Sequence, residues 1–446
     1  MKAIVTDKNV VIVGLGVTGL SCVHYLKALG HNLTVMDSRD EPPGFDELKA
    51  KYPNIECIFG GFDRERLLAA DEIILSPGIA MANEDIQAAI ASGVPVKGDV
   101  ALFSEAAKAP IIAITGSNGK STVTTLVGDM AECAGLNVGV GGNLGIPALD
   151  LLEQDRQLYV LELSSFQLET TENLNAHCAV ILNITEDHMD RYPEKMAYLQ
   201  AKQRVFRGAK YVAINDDEVL SQPLMSTTMK AIHFGLQADL NKYSIIERAE
   251  KQYLAKGFDA LLAVNELKVS GEHNQSNVLA AMALASSVGI PTQAMLDALK
   301  SFKGLPHRCQ HVRTLDDVDY INDSKGTNPG AVVTAISSLG KNATGKVILI
   351  AGGESKGADF SPMRRALSEY CKLVILFGRD AEEIGKITTP LVESVTVDSF
   401  EQSVKFAYES AEPGDVVLLS PGCASFDMFK NYQQRGEAFE RLVMCL

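Results

Sequence analysis

Two glycine-rich turns, each joining an apolar run to a stretch of helical periodicity, constrain this chain more than any other feature. They are "NVVIVGLGVTGL", Asn9 to Leu20, and "IIAITGSNGKSTVTTL", Ile111 to Leu126. A strand that feeds a helix through glycines leaves backbone N–H groups converging at the positive end of the helix, which is a ready site for phosphate. Each turn also reads as a β-turn-α unit of a parallel sheet.

In the first turn Gly14, Gly16 and Gly19 match G-x-G-x-x-G, and Asp37 ends the next strand. That spacing admits a dinucleotide, with the acid on a ribose hydroxyl. The segment is short, however, and holds one mononucleotide-type half plus a little, so a single nucleotide diphosphate fits it better. A strand-to-helix turn without ligand is the plain alternative. In the second turn Gly119-Lys120-Ser121-Thr122 is the ending of a phosphate-binding loop whose first glycine stands at 116 rather than 114. Lys120 would reach the β- and γ-phosphates, and Ser121 or Thr122 would ligate Mg²⁺. No N-K-x-D guanine reader accompanies it, which argues against a regulatory GTPase.

The 446 residues suggest about three domains. From 9 to 98, "NVVIV", "NLTVMD", "IECIF", "EIILS" and "VPVKG" alternate with amphipathic stretches. A second unit, 99–304, runs through "PIIAIT", "NVGVG", "LYVLEL", "CAVILNIT" and "KYVAIN", and 230–270 reads as short antiparallel strands. A third, 305–446, carries "VDYIND", "KVILIAGG", "LVILFG" and "DVVLLSPG". The expected fold class is therefore α/β, with three consecutive α/β domains at 1–98, 99–304 and 305–446: a Rossmann-like first domain, a central phosphate-loop domain and a Rossmann-like third domain.

A net charge of −15 repels polyanions, so neither nucleic acid nor an anionic membrane surface is an expected partner. The eight cysteines are scattered without a C-x-x-C pair and read as reduced thiols. Charges at Asp7 and Lys8 interrupt any leader-like start, and the uncharged stretch from Gln275 to Leu296 is broken by Gly-Ile-Pro, so membrane insertion is not expected and a cytoplasmic place is. Two places could hold a metal. Glu162 ends "LYVLEL", the place from which a phosphate-loop enzyme offers its metal a carboxylate, with a solvated edge as the plain alternative; Asp187 and His188 lie just past another strand, where the plain alternative for the histidine is a capping or packing role.

The motifs "ITGSNGKST", "GGNLG", "LELSSFQLE", "LNITEDHMDRY", "GEHNQSN", "GLPHR", "NDSKGTN" and "SPGCASFD" occur in the order seen in Mur ligases, and the chain resembles that family over nearly its whole length, in the form of the D-glutamate-adding member. The resemblance implies a UDP-sugar domain, an ATPase domain and an amino-acid domain, with ATP-dependent joining of D-glutamate to UDP-N-acetylmuramoyl-L-alanine through an acyl phosphate, in a monomer. It implies that Gly14, Gly16, Thr18, Gly19, Asp37, Ser38, Arg39 and Ser76 surround the uridine nucleotide. Gly116, Ser117, Asn118, Gly119, Lys120, Ser121, Thr122, Asn274, Arg308, Asp323 and Lys325 would serve ATP. Two Mg²⁺ ions are implied, the first on Ser121 and Glu162, the second on His188 and Lys202, a lysine that is carbamylated in this family. Asn143 would orient the substrate, and Thr327, Lys356, Ser425 and Tyr432 would hold the D-glutamate, although Tyr432 stands where the family leads one to expect Phe.

Overall fold

The computed structural model describes residues 8–223, 228–341 and 343–446. β1 (Asn9–Val13), β2 (Asn32–Asp37), β3 (Glu56–Phe59), β4 (Glu72–Leu75) and β5 (Val96–Lys97) form an all-parallel sheet in the order β3-β2-β1-β4-β5. These are the five runs read from the sequence. β1 is buried on both faces, which is why "VVIV" is continuously apolar rather than alternating.

The central sheet has nine strands: β6 (Ile111–Thr115), β7 (Val138–Gly142), β8 (Leu158–Glu162), β9 (Cys178–Ile181), β10 (Tyr211–Asn215), β11 (Lys230–Phe234), β12 (Lys242–Arg248), β13 (Lys251–Lys256) and β14 (Asp259–Ala263). Their order is β14-β13-β12-β11-β10-β9-β6-β8-β7. The expectation of antiparallel strands over 230–270 holds only from β12 onward, since β11 runs parallel to both β10 and β12. The physical reason lies in the connections. β12 and β13 are joined by Ala249 and Glu250, both at positive φ as a two-residue hairpin requires, whereas the long 216–229 segment between β10 and β11 permits a crossover.

The third sheet contains β15 (Gln310–Leu315), β16 (Val318–Asn322), β17 (Val347–Gly352), β18 (Cys371–Phe377), β19 (Glu393–Thr396) and β20 (Val416–Leu419), ordered β15-β16-β20-β17-β18-β19. Only β15 pairs antiparallel. The two edge strands, "QHVRTL" and "ESVT", were not read from the sequence, because half-exposed edges are polar and short. The uncharged stretch from Gln275 divides between helices Glu272–Ser287 and Thr292–Ser301. Among the described residues, no helix is long and apolar enough to cross a membrane.

Helix Asp99–Ala106 plugs the joint between the first and central sheets. Its Val100, Leu102 and Phe103 belong to one apolar cluster with Val10 and Ile12 on one side and Ile111 and Leu161 on the other, and Phe103 meets Tyr159 edge-on at 4.9 Å. Asp99 opens that helix fully buried. One carboxylate oxygen accepts from Gln167 Nε2 at 3.1 Å and the other has no hydrogen-bond partner. Burial pushes its pKa up to about 6, against the pull of Gln167 and the helix's first N–H groups. The native state thus holds this proton more tightly than the unfolded chain. The associated stability is present below the unfolded carboxyl pKa and is lost as pH rises through about 6. Wild type is expected to lose about 1–2 kcal/mol relative to Asp99→Asn between pH 5 and pH 8. Urea midpoints measured across that range check it; parallel pH profiles for the two proteins count against it.

Candidate active site

The chemistry-bearing groups of the central domain leave the C-terminal ends of three adjacent parallel strands, β8, β6 and β9, where open α/β sheets form their sites. After β6, Gly116 at φ +151° and Gly119 at φ +84° turn the chain into helix Lys120–Cys133. A Cβ on Gly119 would lie 2.4 Å from Asn277 Oδ1, so a side chain is excluded by both conformation and space. The loop is braced from β9: Ser117 N–H donates to Asn183 O at 3.0 Å and Asn118 N–H to Asn183 Oδ1 at 2.8 Å.

Lys120 Nζ donates back to Gly116 O at 2.7 Å and Ser117 O at 2.8 Å, and burial lowers its pKa. Glu162 is buried at the end of β8, not at a solvated edge. Its two oxygens accept from Ser121 Oγ at 2.6 Å and Asn143 Nδ2 at 2.7 Å. Burial alone would push this carboxyl up. The field of Lys120, the bonds from Ser121 and Asn143 and the nearby Arg308 outweigh it and hold the pKa below the ordinary glutamate range. A hydroxyl and an anionic carboxylate side by side fit Mg²⁺, which takes few protein ligands and completes its shell with phosphate and water.

His188 follows β9 at φ +59°, and Nε2 lies 3.8 Å from Asp187 Oδ2. Burial, with Lys356, Lys120 and Lys202 nearby, brings its pKa down to about 4 against the pull of Asp187, so the imidazole is neutral and its lone pair free. Lys202 is only 1% exposed. Its Nζ donates to Thr115 Oγ1 at 3.2 Å and Gly116 O at 3.0 Å and lies 4.6 Å from the Tyr198 ring centroid. Burial lowers its pKa strongly, and Lys120 adds to the effect. Tyr198 in turn shares a 3.2 Å hydrogen bond with Ser117 and lies 6.4 Å, ring to ring, from His188, so one aromatic side chain gathers the phosphate loop, His188 and Lys202.

The third domain closes the site from above. Arg308 Nη2 donates to Ser121 Oγ at 2.7 Å, and Asn328 Nδ2 donates to Asn118 Oδ1 at 3.2 Å and Asp187 Oδ2 at 3.3 Å. Between the domains lies a cavity of about 820 Å³ lined in part by Asn118, Gly119, Thr122, Asn274, Arg308, Asp323 and Lys325, which brings seven of the expected ATP residues around one space. Asp323 follows β16, is buried, and accepts from Ser420 Oγ at 2.7 Å and Cys309 N–H at 3.2 Å; burial raises its pKa to about 6. Lys325 is stacked 4.0 Å from the Tyr432 ring centroid, and burial together with Arg308 lowers it to about 8. Lys356 follows β17 at φ +52°, Ser425 follows β20, and Thr327 follows β16, so these too come from neighbouring strand ends.

The first domain repeats the pattern with β2, β1 and β4. Gly14 at φ +96° turns the chain, and a Cβ on Gly19 would lie 1.9 Å from Gly14 O, which accounts for the third glycine. Ser76 Oγ donates to Gly14 O at 2.7 Å, while Gly16 and Thr18 open the helix and Ser38 and Arg39 are exposed beside it. Asp37 ends β2 with its carboxylate fully buried, where it accepts from Leu15 N–H at 2.7 Å and is clasped by Arg39 Nε at 2.8 Å and Nη2 at 2.7 Å. Burial pushes its pKa up, but these bonds outweigh it and leave it lowered. Asp37 shapes the turn and orients Arg39; the outward group is Arg39. Sequence reasoning missed Asn183, Tyr198 and Asn328 as supports of the phosphate loop; the only signal was that they lie in or near the motifs already singled out.

Residues 8–98 match the Mur ligase MurD-like N-terminal domain, 114–285 the Mur ligase middle domain, and 307–423 the Mur ligase glutamate ligase domain. A Marinobacter nauticus protein named UDP-N-acetylmuramoylalanine--D-glutamate ligase is 53% identical over 99% of both chains, and a Pseudomonas aeruginosa protein of the same name is 50% identical over 99% of both. The fold is shared with a pseudomurein peptide ligase type C of Methanothermus fervidus, at TM-score 0.62 and 19% identity over 98% of this chain and 100% of that one. It is also shared with the MurF ligase of Thermotoga maritima in complex with ADP, at TM-score 0.62 and 15% identity over 100% of both. With three domain matches in order and near-complete relatives at half identity, the chain belongs to the Mur ligase family.

Proposed function

We propose that this chain is an ATP-dependent amide ligase that adds D-glutamate to UDP-N-acetylmuramoyl-L-alanine in peptidoglycan precursor synthesis. The observation that carries the reading is the Lys120, Ser121 and Glu162 group on adjacent strand ends, in a chain about half identical throughout to proteins bearing that ligase name. A carboxylate and an ammonium do not condense in water, because oxide is too poor a leaving group. Transfer of phosphate to the carboxyl oxygen removes the obstacle.

In this reading a carboxylate oxygen of the L-alanyl group attacks the γ-phosphorus of ATP, the bond from phosphorus to the bridging oxygen breaks, and ADP leaves. The unprotonated amine of D-glutamate then attacks the acyl carbon and loses a proton. The carbon–oxygen bond breaks, and phosphate departs with the former carboxyl oxygen. Lys120 and the N–H groups of 116–122 neutralise and orient the phosphates, and Arg308 adds charge from the third domain. Ser121 and Glu162 would hold one Mg²⁺, and His188 with Lys202 a second; the metal supplies charge neutralisation at the transferring phosphoryl oxygens. Asn143, held on Glu162, orients the acceptor. Asn274, Asp323 and Lys325 border the nucleotide, and Gly14, Gly16, Thr18, Gly19, Ser38, Arg39 and Ser76 the uridine diphosphate, with Asp37 behind Arg39. Thr327, Lys356, Ser425 and Tyr432 take D-glutamate, Lys356 as the partner of its side-chain carboxylate.

Lys202 suits carbamylation. Burial lowers the Lys202 pKa and so favours the free amine, whose lone pair can add to the carbon of CO₂ with loss of a proton, leaving an oxygen anion that a cation accepts. Domain limits at 98/99 and 304/305 and a monomer in the cytoplasm complete the proposal.

Phosphate release should require both UDP-N-acetylmuramoyl-L-alanine and D-glutamate, with L-glutamate, L-lysine and L-alanine inactive; an amino-acid panel read by phosphate release decides this, and equal rates with all four would overturn the assignment. Lys120→Ala should lower kcat by about 10³-fold or more. Stripping CO₂ by dialysis should lower activity and bicarbonate should restore it in wild type but not in Lys202→Ala, whereas bicarbonate-independent wild-type activity would rule out the carbamate.

A further inference from the structure

Arg191, three residues beyond His188, has no part in the roles assigned above, yet it touches the wall of the first glycine turn and, in the central domain, the helix that follows the Glu162 strand. Its guanidinium lies 4.5 Å from the Phe166 ring centroid. Nη2 donates to Glu169 Oε2 at 3.2 Å and to Ile79 O at 3.1 Å, and Nη1 to Pro77 O at 3.4 Å. Phe166 and Glu169 lie on helix Ser165–Glu169, just past the strand that ends in Glu162. Pro77 and Ile79 belong to the first-domain segment that packs on the Gly14–Gly19 turn: Ser76 Oγ donates to Gly14 O, and a Cβ on Gly14 would lie 3.2 Å from Ile79 Cγ1.

The same side chain is tied to the metal-side segment. Arg191 N–H donates to His188 O at 2.9 Å, and the Phe166 ring beneath the guanidinium meets the His188 imidazole at 4.8 Å. An arginine suits this place because its planar, permanently charged fork can stack on a ring while donating in several fixed directions; an ammonium cannot reproduce that geometry. The apolar plug around Phe103 already holds the two domains together, so Arg191 is not needed to keep them joined. What it sets is the position of one loop.

We propose that Arg191 is a positioning residue that holds the Ser76–Ile79 wall of the first-domain cradle in register with the His188 segment, so that a carboxyl group carried on a first-domain nucleotide meets the phosphate loop at bonding distance. The proposal rests on the ligase reading above. Because the wall is also anchored within its own domain, by Ser76 N–H to Val13 O and Ser76 Oγ to Gly14 O, the cradle itself survives loss of Arg191.

The test compares wild type, Arg191→Ala and Arg191→Lys by steady-state kinetics, by titration with UDP alone and by thermal melting. The expected result is a kcat about tenfold or more lower in both variants, since small misplacements of reacting groups carry costs of that size. KM for ATP and the Kd for UDP should stay within about twofold. A general structural defect would instead lower the active fraction and the melting temperature together and spare no single parameter. The proposal is overturned if kcat stays within twofold in Arg191→Ala, if Arg191→Lys works at the full rate, or if UDP affinity falls in step with kcat. Failure of wild type to turn over with D-glutamate would strike the ligase reading instead, and UDP binding would still report on the cradle.

Discussion

A phosphate loop can place a lysine near a phosphate, but it cannot by itself bring a carboxylate beside the same phosphate. Here that is done by parallel pairing. With β6 between β8 and β9, the loop carrying Lys120 and Ser121, the carboxylate of Glu162 and the segment carrying His188 leave one edge of one sheet within a few ångströms of one another. The strand interiors are buried on both faces, so a one-residue slip would turn every side chain to the opposite layer and break the packing of both. The charged groups at their ends are therefore fixed by the hydrophobic core beneath them.

The same solution is used three times. In the first domain the residues around the glycine turn follow β2, β1 and β4, and in the third the groups near Lys325 and Lys356 follow β16, β20 and β17. Each edge is incomplete alone. The Arg308 to Ser121 and Asn328 to Asn118 bonds join the third edge to the second, and Arg191 joins the second to the first. A reaction that needs a nucleotide-linked acceptor, a phosphoryl donor and an amine suits such a division, since each domain can bind one and the bridges set their mutual distances. Lys120 and Lys325 are both buried near Arg308, and it is chiefly burial, with Arg308 adding to it, that lowers their pKa values.

Much of this was legible in the chain because parallel strands buried on both faces read as unbroken apolar runs. That is why "VVIV", "IIAIT" and "VILIAG" declare themselves, while the polar edge strands Gln310–Leu315 and Glu393–Thr396 do not. Glycines with positive φ are also legible, since few other residues tolerate that backbone, so both cradles were found before any geometry. Less visible was anything decided by tertiary burial. Lys202 lies on a helix with charged neighbours, and only packing reveals it as enclosed. Asp37 is at the expected strand end, but its partner Arg39 turns back on it and changes what faces outward. Arg191 and Asn328 act across domain boundaries, where spacing in sequence carries no information about distance.

In the proposed reaction the Lys120 loop delivers a phosphoryl group to a carboxyl oxygen, which then leaves with the phosphate. Acceptor nucleotide labelled with oxygen-18 in its carboxyl group tests this most directly, by mass analysis of the inorganic phosphate formed during turnover with ATP and D-glutamate. The account predicts one labelled oxygen in each phosphate released. Phosphate carrying only unlabelled oxygen, with amide formed at the normal rate, would contradict it.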